Sequence, residues 1–225
     1  MKGKLIVIEG LDGSGKSTQE ELLKKRLAEI NIKVNFIKLP NYDDPACDLV
    51  KMYLSGRFGS DPSDVNAYAA SSFFAVDRYV SYNCYWKEAY LNGEVFLADR
   101  YTTSNAYHQL TKTDKAEWDS YLEWLEDFEY NKMGIPKPDA VIYLDMPVEV
   151  SQKLMTSRYN GDDSKKDIHE KNVDYLNKCR EAADYACKKL GWTRIVCGEN
   201  GEPLPIESIS DKVFEAILKL LEIKL

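Results

Sequence analysis

The chain has 225 residues, 44% hydrophobic and 30% charged, enough apolar material for a buried core without disulfide or metal staples. Its 30 Lys and Arg against 37 Asp and Glu give a formal net charge of -7, which argues against non-specific binding to a nucleic-acid polymer. Any phosphate must therefore be gripped by a few local groups. The five cysteines are odd in number without a C-x-x-C, and His108 and His169 stand far apart, so buried reduced thiols are expected rather than a zinc site.

The chain opens with MKGKLIVIEGLDG, a strand at 4–9 running into a glycine loop, with no apolar segment long enough for a signal peptide or membrane span. A cytoplasmic location is expected. A helix follows from about Ser17 to Ile30, with Leu22, Leu23, Leu27 and Ile30 on one face. A second strand is predicted at 33–39, and PNYDDPACD after it reads as a flexible insertion. The stretch from Ser63 to Asn92 carries apolar and aromatic residues beyond one stripe, so this helix is either buried centrally or packed at a subunit interface. Strands are predicted at 94–98, 139–145 and 193–197, a Gly-containing charged segment at 158–167 reads as a lid, and a final helix repeats Val213, Ile217, Leu220 and Leu221. Short apolar runs alternating with helices imply an α/β fold, a five-stranded parallel sheet flanked by helices in three layers, as one domain over 1–225.

Gly10 to Ser17 spell G-x-x-x-x-G-K-S between a predicted strand and a predicted helix, the context a P-loop requires. Gly10, Gly13, Ser14 and Gly15 let backbone N–H groups wrap an anion, Lys16 reaches the outer phosphates, and Ser17 offers a hydroxyl to magnesium. ATP or GTP binding by Gly10, Asp12, Gly13, Ser14, Gly15, Lys16, Ser17 and Thr18 is expected. Thr111, Lys112, Thr113 and Asp114 imitate the guanine-reading T-K-x-D but follow a helical stretch, and no D-x-x-G ends a following strand, so Lys112 and Asp114 read as a solvated helix junction and a switch GTPase is disfavoured.

Two Asp-Arg pairs stand out in a chain with seven arginines: Asp77-Arg78 in the aromatic helix and Asp99-Arg100 at the end of the third strand, where ligands bind in open α/β sheets. Asp99 is a candidate magnesium ligand and Arg100 a candidate phosphate clamp. Each pair could also be a structural salt bridge.

IEGLDGSGKSTQ at 8–19, FFAVDR at 73–78, ADRYTTSNAY at 98–107 and PDAVIYLDMPVEV at 138–150 stand in the order of four motifs of the thymidylate kinases, which the chain resembles over nearly its whole length. The resemblance implies transfer of the γ-phosphoryl of Mg-ATP to dTMP. It further implies that Phe74 stacks on the base, Arg78 bonds its carbonyl edge, Arg100 bridges the acceptor phosphate, Asp99 organises magnesium, and Asp12 touches the acceptor sugar or a metal-bound water. Ser104, Asn105 and Tyr107 are then expected in the acceptor pocket. One departure concerns the family's aromatic four residues beyond the serine of D-R-Y-x-x-S, which here is His108, with Tyr107 one place earlier. The loop carries no arginine, Gly13 holding that place, so Arg158 or Lys165 and Lys166 in a lid at about 158–168 are expected to supply the catalytic cation. The acceptor helix at 63–92 suggests a homodimer, with burial under the lid as the alternative. Two alternatives stay open: another small P-loop kinase, acting on a deoxynucleoside or other monophosphate, and a non-catalytic ATP-binding regulator.

Overall fold

The computed structural model describes residues 2–158, 162 and 167–223; Lys165, Lys166 and the side chain of Arg158 lie outside the described residues. β1 (Leu5–Glu9), β2 (Asn35–Lys38), β3 (Phe96–Asp99), β4 (Ala140–Asp145) and β5 (Thr193–Val196) form one parallel sheet in the order β2-β3-β1-β4-β5. All five predicted strands are present to within two residues at each end. β1 pairs with β3 from Leu5↔Phe96 to Ile8↔Asp99 and with β4 from Ile6↔Ala140 to Glu9↔Tyr143. The chain passes from β1 to β2 and β3 on one side and to β4 and β5 on the other. The carboxyl ends of β1 and β3 therefore border the crevice where such sheets bind ligands.

The helices are α1 (Lys16–Glu29), α2 (Asp48–Leu54), α3 (Ala67–Ser81), α4 (Lys87–Leu91), α5 (Thr102–His108), α6 (Trp118–Glu126), α7 (Val148–Arg158), α8 (Val173–Leu190) and α9 (Ile206–Leu220). Successive strand residues point to opposite faces. Ile6 and Ile8 pack with Leu23, Leu27, Val213 and Ile217 of α1 and α9, whereas Leu5 and Val7 pack with Tyr82, Trp86, Tyr90 and Tyr101 on the other side. Both faces are thus covered, which is why β1 runs apolar without alternation. Leu27 is 1% exposed, and its truncation to Ala would cost about 2–5 kcal/mol. After β5, β6 (Gly198–Glu199) and β7 (Glu202–Pro203) make a small antiparallel hairpin.

The stretch expected as one helix over 63–92 is divided. It starts at Ala67, where the Asn66 side chain accepts from Ala69 N, and a π-helical turn at Tyr82–Trp86 interrupts it before α4. Beyond the extra width of that turn, Tyr82, Trp86 and Tyr90 meet one another and Phe96 edge-on or tilted, with centroids 4.7–6.3 Å apart. The outer side keeps Val76, Tyr79 and Tyr85 exposed. The insertion after β2 is not a loose loop: Asp44 caps a turn at Pro45–Cys47 by accepting from Ala46 N at 2.8 Å, and Cys47 is fully buried. Four cysteines are buried as expected, but Cys84 is exposed. Among the described residues no helix is long and apolar enough to cross a membrane.

Candidate active site

The glycine loop lies between the end of β1 and the start of α1, with no side chain capping that helix. Its first backbone N–H groups are therefore available to an anion. Gly15 has φ 89°, and a side chain there would project into open space, the side a phosphate approaches. Gly13 differs. A Cβ at that position would come within 2.7 Å of the Ser151 carbonyl oxygen at φ 75°, so the loop as built has no room for a cationic side chain there. Lys16 is buried and folds back, donating to the carbonyls of Gly10 at 2.8 Å and Leu11 at 3.1 Å. Burial and the nearby Arg100 lower its pKa to about 8, against the opposing pull of Asp12, Asp99 and Glu9. Ser17 is half-buried and Thr18 exposed at the start of α1.

Asp99 closes β3. Its side chain is 7% exposed, Oδ2 is 4.0 Å from Lys38 Nζ, and Oδ1 is buried without a hydrogen-bond partner among the described residues. The next residue, Arg100, takes a left-handed backbone with φ 68°, a conformation costing a bulky residue about 1 kcal/mol or more. Its guanidinium lies against the loop, with Nη2 donating to Asp12 Oδ1 at 2.6 Å and Nη1 to Tyr107 Oη at 3.0 Å and Ser104 Oγ at 3.2 Å. Burial alone would raise the Asp12 pKa; Arg100 and Lys16 overcome it and hold the carboxyl well below its ordinary range. Donor loop and strand-end arginine are thus joined by one ion pair.

Beside this junction an open-sided cleft is lined by Asp12, Phe74, Arg78, Arg100, Ser104 and Asn105, all expected there, and also by Asp77, His108, Gln109, Asp167 and His169. Tyr107 lies beneath it, fully buried. Its position follows from Glu9, which sequence reasoning treated only as the end of a strand. Glu9 is 0% exposed and accepts from Tyr101 N, Thr103 Oγ1, Ser104 Oγ and Tyr107 Oη at 2.6–3.1 Å, tying the start of α5 to β1. The signal was a carboxylate ending an otherwise apolar strand directly before a glycine loop. Gln109 was also missed as a positive candidate. It is fully buried one turn beyond Asn105, and among the described residues neither amide atom has a hydrogen-bond partner, an arrangement that a polar ligand edge would satisfy.

Asp77 and Arg78 do not pair with each other. Asp77 accepts from Asn41 N at 3.1 Å, holding the segment after β2, while Arg78 forks onto Glu129. The other forked arginines, Arg180 and Arg194, converge on Asp145 at the end of β4, away from the cleft. Lys112 corrects the reading of a solvated junction. It is half-buried, donates to Tyr53 Oη at 2.7 Å and Val65 O at 2.9 Å, and burial lowers its pKa to about 7, whereas Asp114 is exposed as expected.

A parallel sheet with a phosphate loop after its first strand, meeting a cleft lined by arginine, carboxylate and aromatic side chains at the neighbouring strand end, defines a P-loop protein of the small nucleotide kinase type. Residues 8–204 match the thymidylate kinase family, and the chain belongs to that family. It is 27% identical to the thymidylate kinase of Mycobacterium tuberculosis over 203 residues, 88% of this chain and 93% of that protein. With the thymidylate kinase of Rhodopseudomonas palustris it shares 26% identity over 224 residues, 99% of this chain and 92% of that one. The solved structure of thymidylate kinase from Candida albicans superposes with a TM-score of 0.69 at 22% identity, covering 98% of this chain and 93% of that one, a likeness of fold.

Proposed function

We propose that the chain transfers the γ-phosphoryl group of Mg-ATP to dTMP, giving dTDP and ADP. The observation that carries this reading is the contact of Arg100 with Asp12, which brings the phosphate loop and the acceptor cleft of a thymidylate kinase family chain to one point. An acceptor phosphate oxygen attacks the γ-phosphorus, a new P–O bond forms, and the bond to the β-γ bridging oxygen breaks as ADP leaves. The acceptor is already an oxyanion, so no general base is needed, and catalysis consists of alignment and charge neutralisation. Arg100 can turn its fork from Asp12 to the acceptor phosphate. Lys16 leaves the loop carbonyls for the donor phosphates. Phe74 supplies a face for the base, with Asn105, Gln109 and the spare N–H groups of Arg78 at its polar edge.

The unpartnered Oδ1 of Asp99 and the hydroxyl of Ser17 are oxygen donors of the kind magnesium takes beside phosphates. When bound with ATP, the ion neutralises phosphate charge. The blocked position at Gly13 supports a catalytic cation from the segment that begins at Arg158. The exposed Val76, Tyr79 and Tyr85 support a homodimer through the outer side of α3 and the π-helical turn, testable by sedimentation. The transfer itself is tested by ³¹P NMR: mixing dTMP with Mg-ATP and the protein yields dTDP and ADP resonances, and their absence would refute the reading.

A further inference from the structure

A chain of hydrogen bonds runs into the acceptor cleft that the transfer step does not use. Lys112 Nζ donates to Tyr53 Oη at 2.7 Å, and Tyr53 Oη lies 2.9 Å from Nε2 of His169, a cleft-lining residue that is 5% exposed. The direction of the chain follows from what each group can donate. Below pH 7 Lys112, whose pKa burial lowers to about 7, is an ammonium with donors only, so the Tyr53 oxygen accepts from it and its own proton points to Nε2, its other bonded neighbour. Nε2 is then the acceptor. Burial, with the Lys112 charge nearby, lowers the His169 pKa to about 3, so the ring is neutral and its one proton sits on Nδ1. Nδ1 has no partner among the described residues.

His108 is wired differently. Its Nε2 is 3.4 Å from Arg100 Nη1 and its Nδ1 3.6 Å from Cys179 Sγ, so both nitrogens are engaged within the protein. The two imidazoles stack with centroids 5.4 Å apart at 18°, and the Tyr53 ring lies against His169 at 5.4 Å and 72°. Packing and the bond to Tyr53 together fix the His169 ring. Its place in the cleft is fixed too: through Tyr53 it borders Phe74, whose ring is 6.2 Å from that of Tyr53, and through His108 it borders Arg100. In the proposed acceptor pose, with its base on Phe74 and its phosphate at Arg100, the nucleotide's sugar lies between them, in the cleft that His169 also lines.

We propose that His169 is a specificity-determining donor of the acceptor site: Lys112 and Tyr53 hold it as the Nδ1–H tautomer, and that proton is donated to the 3′-oxygen of the acceptor deoxyribose. The assignment rests on the reading of the cleft as the dTMP site. Lys112 and Tyr53 act through His169 and are positioning residues.

The chain contains only two histidines, so ¹⁵N-histidine labelling resolves both rings, with a His108→Gln sample for assignment. At pH 6 without ligand, His169 should show a protonated Nδ1 and an unprotonated Nε2, and Tyr53→Phe should abolish that preference. An Nε2–H tautomer or an imidazolium overturns the proposal. Kinetics supply the second arm. His169→Asn retains a donor near the Nδ1 position and keeps KM for dTMP within about threefold, whereas His169→Phe raises it about tenfold with KM for ATP unchanged. With 3′-deoxythymidine 5′-monophosphate the penalty of His169→Phe disappears. A penalty equally large with that analogue, or equal KM for the Phe variant and wild type, overturns the proposal. Wild-type protein that turns over no dTMP would instead overturn the underlying reading, whatever tautomer the spectra show.

Discussion

Arg78 and Glu129 meet as a forked ion pair under the cleft, Nε to Oε2 at 2.6 Å and Nη2 to Oε1 at 2.5 Å, with neither side chain more than 3% exposed. Glu129 also accepts from Thr102 Oγ1 at 2.9 Å, so α3, α5 and the turn after α6 share one buried charge. Removing one partner strands the other. Glu129→Ala and Arg78→Ala should each lose about 3–5 kcal/mol in urea denaturation, and the double variant should lose less than their sum. The folded fraction of Arg78→Ala should show a larger rise in KM for dTMP than for ATP. Additive losses would mean that the two charges do not depend on each other.

Lys16→Ala should abolish detectable transfer while leaving the far-ultraviolet circular dichroism unchanged, because the ammonium contacts only loop carbonyls in the described structure. Retained turnover in this variant would remove the phosphate-loop reading.

For the lid cation, Arg158→Ala should lower kcat about a hundredfold or more, by analogy with the ~10³ to 10⁵ lost with other transition-state arginines, and should leave KM for dTMP nearly unchanged. A kcat near wild type in Arg158→Ala, with collapse in the Lys165 and Lys166 double alanine variant, would transfer the role to the lysines.

Lys112 gives a pH test of stability. Burial lowers its folded pKa to about 7 from the usual 10.5, so between those values the unfolded chain holds a proton that the folded chain does not. Its contribution to stability therefore rises with pH across that window, and the penalty is fully in force below pH 7. The stability difference between wild type and Lys112→Met, measured by urea denaturation at pH 7, 8 and 9, should shift in favour of wild type at each step. A flat difference would contradict the buried placement of the charge.

The sheet was legible because Leu5 to Ile8 and Val141 to Leu144 are apolar runs that only a doubly covered strand needs. Gly10 to Ser17 was legible because its chemistry is local: a turn, an anion and a helix start. Long-range partners were not. Nothing near Arg78 announces Glu129, 51 residues away, and Asp77 looked a better partner because it is adjacent in sequence. Lys112 looked solvated because a charged residue between threonines usually is, yet Tyr53 and Val65, 59 and 47 residues earlier, fold over it. His108 stands where the resemblance expects an aromatic residue, with Tyr107 one place earlier, which left the register of α5 open. Glu9 resolves that register, since it draws Tyr107 under α5 and leaves His108 and Gln109 facing the cleft.

The proposed role of the Arg100 fork requires an acceptor that already carries a phosphate. Its most direct measurement is coupled ADP release from Mg-ATP with dTMP, with thymidine, and with no acceptor. Release should be rapid with dTMP and only a slow background in the other two. Equal release with thymidine would make the protein a nucleoside kinase, and release unaffected by any acceptor would contradict phosphoryl transfer to dTMP altogether.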